Sequence, residues 1–163
     1  MDLVEMDRYK DQVLRRVSAF LAVKPRSEKE VTQKISSLIN SLGASVPIQE
    51  DILLREVMTL LKERGLVDDR DYALTYVFEQ KRKSKPKGPY YISKFLLQKG
   101  LEKSLINSVL LETYPLIEEI NLIKRTVEGM SHKEPSRVVN YLKRCGFTSK
   151  AIYTVVDRYS KKA

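Results

Sequence analysis

A shift of 46 residues lays the last third of this chain on the stretch before it. Gly100 falls on Gly146, Pro89 on Pro135, Ile92 on Val138, Phe95 on Tyr141, Leu96 on Leu142, Leu101 on Phe147, Ile106 on Ile152 and Val109 on Val155, all at the one offset of 46. Proline meets proline, glycine meets glycine and apolar meets apolar. A fainter match at an offset of 61 sets Val31 and Ile35 over Ile92 and Leu96, so a first copy with a longer interior is expected. A unit of about 45 residues cannot bury its apolar stripes alone, and neighbouring units are expected to stack.

Local signals make these units helical. Val13, Val17, Phe20 and Leu21 recur at three- and four-residue steps from Tyr9 onward, and Pro25 ends that helix because it cannot donate the backbone bond. Ser27 and Glu30 have the spacing of a capping box at the next helix start, which continues through Val31, Ile35, Leu38 and Ile39. Gly43 to Asp51 reads as an extended connector, followed by a stripe of Ile52, Leu53, Val57, Leu60 and Leu61 that stops at Gly65. Asp68 or Asp69 can cap the helix carrying Tyr72, Ala73, Tyr76 and Val77. Further stripes hold Leu105, Ile106, Val109 and Leu110, then Leu116, Ile120, Ile123, Val127 and Met130, and Glu134-Pro135 opens another helix.

No alternating run is long enough to demand a sheet. The expected fold is all-α: three tandem three-helix repeats stacked into an elongated, curved body. Residues 1–66 form the first repeat, with an acidic N-terminal extension and a long connector; residues 67–115 form the second and 116–163 the third. The alternative is a single compact helical bundle whose periodicity is accidental.

The residues that carry chemistry are sparse. Cys145 and His132 are each the only one of their kind, which leaves no disulfide, no cysteine-based zinc site and no Ser-His or Cys-His pair away from His132, itself in a polar linker. Lys87-Gly88-Pro89 lacks phosphate-loop spacing, and Pro89 removes a donor such a loop would use. Asp68-Asp69 and Glu118-Glu119 fall at helix starts or on exposed faces, where capping and solubility account for them. The expectation is therefore no enzyme, no cofactor and no metal. The first residues are acidic where a signal peptide would be basic, and no apolar run approaches the roughly 18 residues of a membrane span. A cytoplasmic protein with no membrane contact is expected.

Charge is the stronger signal. The formal net charge is +9, which favours a polyanionic partner. Residues 81–103 hold eight basic side chains against the one carboxylate of Glu102. Lys81, Arg82, Lys83, Lys85 and Lys87 make a cationic turn, and Lys94 and Lys99 follow on the next helix. Tyr90 and Tyr91 are interleaved; one ring is expected in the core, the other free to stack on a base or a guanidinium. Arg137, Lys143 and Arg144 form a second cluster on the corresponding helix of the last repeat.

An ordered set of short motifs resembles a known family. Phe20 to Ile35, containing Lys24-Pro25-Arg26-Ser27, is similar to the opening signature of the RecX regulatory proteins. The similarity continues through Gly65-Leu66-Val67-Asp68-Asp69-Arg70-Asp71-Tyr72-Ala73, Lys87-Gly88-Pro89 and Gln98-Lys99-Gly100-Leu101, and covers roughly residues 13 to 160. Lys85-Pro86-Lys87 stands where the family has a further glycine, Tyr91 where it has a basic residue, and Lys24 where it has Arg. The resemblance implies a non-enzymatic modulator of DNA repair and recombination, linked to the SOS response. It would lie in the groove of the RecA recombinase filament on DNA and limit filament growth, ATP hydrolysis and strand exchange.

On that basis Lys81, Arg82, Lys83, Lys85, Lys87, Lys94 and Lys99 are expected to face the nucleoprotein filament, with Arg137, Lys143 and Arg144 as a second contact, the protein acting as a monomer. Two other functions fit the same residues: a DNA- or RNA-binding helical module with no recombinase partner, and a structural helical repeat with no nucleic-acid role.

Overall fold

The structure is a computed structural model that describes residues 3–43 and 47–160. Among the described residues there are nine helices and no strand: α1 Leu3–Val23, α2 Glu28–Ser41, α3 Pro47–Glu63, α4 Asp69–Arg82, α5 Pro89–Gln98, α6 Lys103–Thr113, α7 Leu116–Glu128, α8 Pro135–Arg144 and α9 Ser149–Ser160. Two of these differ from the sequence reading. The first helix begins at Leu3, well before Tyr9, and α3 begins at Pro47, so most of the expected connector is helix. Proline is tolerated in a first turn, where its missing N–H has no intrahelical partner to lose. Residues 44–46 of that connector lie outside the described residues.

The chain forms two compact units. The first comprises residues 1–72 with Lys99–Leu101, the second residues 73–98 with 102–163; the chain crosses between them inside α4 and again on either side of Lys99–Leu101.

In the first unit α1, α2 and α3 pack on one another in all three pairings. Their shared core is Val13 and Val17, then Val31, Ile35, Leu38 and Ile39, then Leu53, Val57, Met58 and Leu61, closed by Val67. Ile52 is exposed and Met58 buried, so the α3 stripe is rotated from the expected one. The capping box at α2 is formed: the Glu30 N–H donates to the Ser27 hydroxyl at 3.3 Å, and the Ser27 N–H donates to the Glu30 carboxylate at 3.0 Å. The two aspartates divide their work. Asp68 caps its own helix by accepting the Asp71 N–H at 3.1 Å, while Asp69 reaches across to accept the Glu28 N–H at 2.8 Å, in the first turn of α2.

Burial pushes the Asp69 carboxyl above its usual range, only partly offset by the Glu28 N–H. The native state therefore holds that proton more tightly than the unfolded chain, and its stability should rise as pH falls through the raised pKa toward the ordinary value. Thermal melts of wild type and Asp69→Asn between pH 7 and 4 are expected to converge or cross in favour of wild type on acidification; parallel curves would contradict the assignment. Glu30 behaves oppositely. Burial would raise its carboxyl, but the Ser27 N–H and the Lys99 ammonium outweigh that and hold it low. Its contribution is present above the ordinary glutamate range and is lost as pH falls through its depressed value.

In the second unit α5 packs on α6, and both α7 and α8 pack on α9. Ala73, Val77, Ile92, Leu96, Ile106, Val109, Leu122, Ile123, Val127, Leu142, Phe147 and Ile152 are buried there, and Tyr76 stacks on Phe95 with ring centroids 4.1 Å apart. Leu116, expected inward, is exposed, whereas Glu119 is buried. Its carboxylate accepts both the Thr148 N–H and, at 3.0 Å, the Thr148 hydroxyl at the start of α9.

Two glycine turns are seated in the same manner. Gly100 follows α5 with φ +86, and a Cβ there would strike the Lys29 side chain. The Ser27 hydroxyl donates to the Lys99 carbonyl at 2.7 Å, and the Lys99 ammonium pairs with Glu30 at 2.9 Å. Gly146 follows α8 with φ +88, and a Cβ there would strike Tyr91. Here the Gly88 N–H donates to the Cys145 carbonyl at 2.8 Å and the Tyr90 N–H to the Gly146 carbonyl at 2.9 Å.

Candidate nucleic-acid and partner interface

The basic turn does not present all its charges outward. Lys81, in the last turn of α4, has a side chain only 13% exposed. Its ammonium donates to the Thr113 carbonyl at 2.7 Å, pairs with Glu118 at 3.2 Å and lies 5.3 Å from the Tyr114 ring centroid. It joins the end of α4 to the α6–α7 corner. Lys99 is likewise occupied by Glu30. Sequence cannot separate such cations from solvated ones, because their partners lie 32 and 69 residues away.

Arg82, Lys83, Lys85 and Lys94 are exposed. Lys83 makes a 3.2 Å bond to the Gln80 side-chain oxygen. Lys87 is half-buried, its ammonium 5.0 Å above the Tyr91 ring and its carbonyl accepting the Tyr114 hydroxyl at 3.0 Å. Tyr90 and Tyr91 are 66% and 41% exposed, so neither ring enters the core as one of them was expected to. The α5 helix is anchored by Ile92 and Leu96, which leaves Tyr90 and Tyr91 on its outer side.

The second cluster lies on a cleft of about 850 Å³. Arg137, Asn140, Tyr141 and Arg144 follow one another at three-, four- and seven-residue spacing from Arg137, and so share a face of α8 opposite buried Val138 and Leu142. Met130, His132, Lys133 and Glu134 supply the other wall from the preceding loop. Lys143 does not join them; its ammonium lies 3.4 Å from the Tyr153 hydroxyl and 5.5 Å from that ring's centroid. Burial, together with the Cys145 thiol, raises the Tyr141 phenol above its ordinary value, so the ring is neutral through the physiological range.

The two clusters meet through the backbone. Gly88 directly follows Lys87, Cys145 directly follows Arg144, and the Gly88 N–H bonds the Cys145 carbonyl at 2.8 Å. The sequence does not mark His132, Lys133, Asn140 or Tyr141 as contacts, although the helical spacing of Asn140 and Tyr141 from Arg137 and Arg144 is legible in it.

Among the described residues no three His, Cys, Asp or Glu side chains gather as metal ligands, and no helix is long and apolar enough to cross a membrane. Fold and surface together define an all-helical protein with outward-facing cationic clusters. No family model matches the chain. Its similarity is to regulatory protein RecX. The protein of that name from Geobacillus sp. (strain WCH70) is 35% identical over 109 residues, covering 67% of this chain and 36% of the relative. The one from Leuconostoc citreum (strain KM20) is 28% identical over 167 residues, covering 96% and 59%. The chain thus spans about a third to three-fifths of the length of these curated relatives. The crystal structure of RecX from Lactobacillus salivarius matches with a TM-score of 0.74 at 22% identity, over 95% of this chain and 99% of that one. In sequence and in fold the chain is RecX-like, and the relatives it resembles are named as regulatory proteins.

Proposed function

We propose that this chain is a RecX regulatory protein that binds the RecA filament on DNA and restrains its ATP hydrolysis, extension and strand exchange, with no bond chemistry of its own. The 35% identity to a regulatory protein RecX over 109 residues carries the reading. Charge supports it: Arg82, Lys83, Lys85, Lys94, Arg137 and Arg144 are exposed and serve as the contacts, while Lys81 and Lys99 hold the fold and Lys87 and Lys143 lie over tyrosine rings. The protein acts in the cytoplasm as a monomer.

The architecture belonging to this proposal is three tandem repeats over residues 1–66, 67–115 and 116–163. Helix bounds support it, since α5 and α8 start at Pro89 and Pro135 and end at Gln98 and Arg144, while α6 and α9 start at Lys103 and Ser149, each pair offset by 46.

Recombinase ATPase on single-stranded DNA, titrated with this protein, tests the function. Suppression is expected at stoichiometric amounts, and an unaltered rate at excess would defeat the proposal. Arg82→Glu/Lys83→Glu/Lys85→Glu is expected to weaken inhibition by about tenfold or more, about 1.4 kcal/mol, with the circular dichroism of helix unchanged. Bare-DNA binding that is indifferent to recombinase would instead favour the independent nucleic-acid module.

A further inference from the structure

The glycine-turn joint described above occurs twice, and a third copy of one half of it is open. In the first joint residues 27–30 cover the Lys99-Gly100 turn; in the second, residues 88–91 cover the Cys145-Gly146 turn. The offsets of 61 and 46 align Ser27 with Gly88 and Glu134, and Glu30 with Tyr91 and Arg137. At the third position Glu134 and Arg137 are exposed and no turn from among the described residues covers them; the space in front of them is the cleft of about 850 Å³.

The side chains there have changed in kind. Where the first joint has Glu30 to receive an ammonium and the second has Tyr91 packed under Gly146, the open one has Arg137. Where α5 has Gln98, α8 has Arg144. By its place after α2, the turn that a second copy of the chain would bring is Leu42-Gly43, and neither residue offers an anion to Arg137. Lys133, Arg137 and Arg144 line the cleft against the single carboxylate of Glu134, so its charge selects a polyanion over another helical unit. Arg137 and Arg144 are two turns apart, about 10 Å along the axis, with Tyr141 and Asn140 between them. An aromatic ring flanked by cations is what single strands are held by: phosphates on the cations, a base on the ring.

We propose that this cleft binds single-stranded nucleic acid directly, Arg137 and Arg144 holding phosphates on either side of a base stacked on Tyr141. The proposal rests on the reading above in sharing its two arginines, but it needs no recombinase, and the two can fail separately.

The test is fluorescence anisotropy of a labelled 20-nucleotide oligothymidylate with the full chain and no recombinase, across a salt series. Removing two phosphate contacts in Arg137→Gln/Arg144→Gln should make the slope of log affinity against log salt shallower by about 1.4. Tyr141→Leu, which keeps an apolar side chain against the helix, should weaken binding roughly 5- to 150-fold. Unchanged helicity in both variants, checked by circular dichroism, validates the comparison. A double variant with wild-type affinity and slope overturns the proposal, as does a Tyr141→Leu variant with full affinity. Loss of recombinase inhibition with strand binding intact also overturns it, and assigns the cleft to a protein. A wild type that holds the strand through these residues yet leaves recombinase ATPase untouched supports the cleft and sinks only the recombinase reading.

Discussion

Gly146→Ala is expected to lower the unfolding free energy by about 3 kcal/mol. Two costs combine. At φ +88 an L-residue pays roughly 1–2 kcal/mol for a left-handed backbone, and the new Cβ would meet the backbone and Cβ of Tyr91, at the first turn of α5. That neighbour is not the loose end of a flexible side chain, so relief requires the α5 start to move off the turn, at a further cost of about 1–3 kcal/mol. The move would also break the bonds from Gly88 to Cys145 and from Tyr90 to Gly146. Gly65→Ala is the internal control: its φ is +68, with nothing within 4 Å of an added Cβ, and it should lose only the backbone term. Urea unfolding of the two variants checks this. Equal losses would mean that the seat under Gly146 is not felt.

Glu119→Ala should cost about 2–3 kcal/mol, through a different mechanism. The residue is 2% exposed, and its two oxygens serve the Thr148 N–H and hydroxyl at the head of α9. Truncation leaves two donors at a helix start short of an acceptor in a partly buried place, and hydrogen bonds to charged groups are worth about 1.5–3 kcal/mol each before relaxation. Because burial holds the Glu119 carboxyl above its usual range despite the Thr148 bonds, Glu119→Gln, which keeps one acceptor oxygen, should lose much less. Amide exchange along α9 distinguishes this from general destabilisation: the first-turn amides, Ala151 among them, should open earlier than those of α6. Uniform acceleration through the second unit would refute a capping role.

What could be read in advance was whatever is short-range. Ser27 and Glu30 announce α2 because both halves of a capping box lie within one turn, and Pro89 and Pro135 mark the starts of α5 and α8 for the same local reason. Asp69 and Glu119 were legible only as helix-start acids, and each instead serves a different helix, 41 and 29 positions away. The basic cluster shows the same limit. A lysine in a run of lysines looks solvated, yet Lys81 and Lys99 are spent on Glu118 and Glu30. The start of α3 is not legible, because a proline among small residues reads as a loop unless the helix beyond it is known to reach back to Pro47. At the cleft, Arg137 and Arg144 are visible in the sequence, but that His132 and Lys133 line the same cleft from its other wall follows only from the turn made by residues 129–134.

The first unit is completed by three residues, Lys99–Leu101, that the ribosome makes long after the rest of it. Ser27 emerges 72 positions ahead of the carbonyl its hydroxyl bonds; at about 5–20 residues per second that is a wait of roughly 4–14 s. Once α3 has followed, α1, α2 and α3 can collapse on their apolar stripes, but until Lys99 is made the seam at Ser27 and Glu30 has nothing to close on. The amino-terminal part of the molecule is thus finished from downstream, and translation speed across α4 and α5 governs how long it stays ajar.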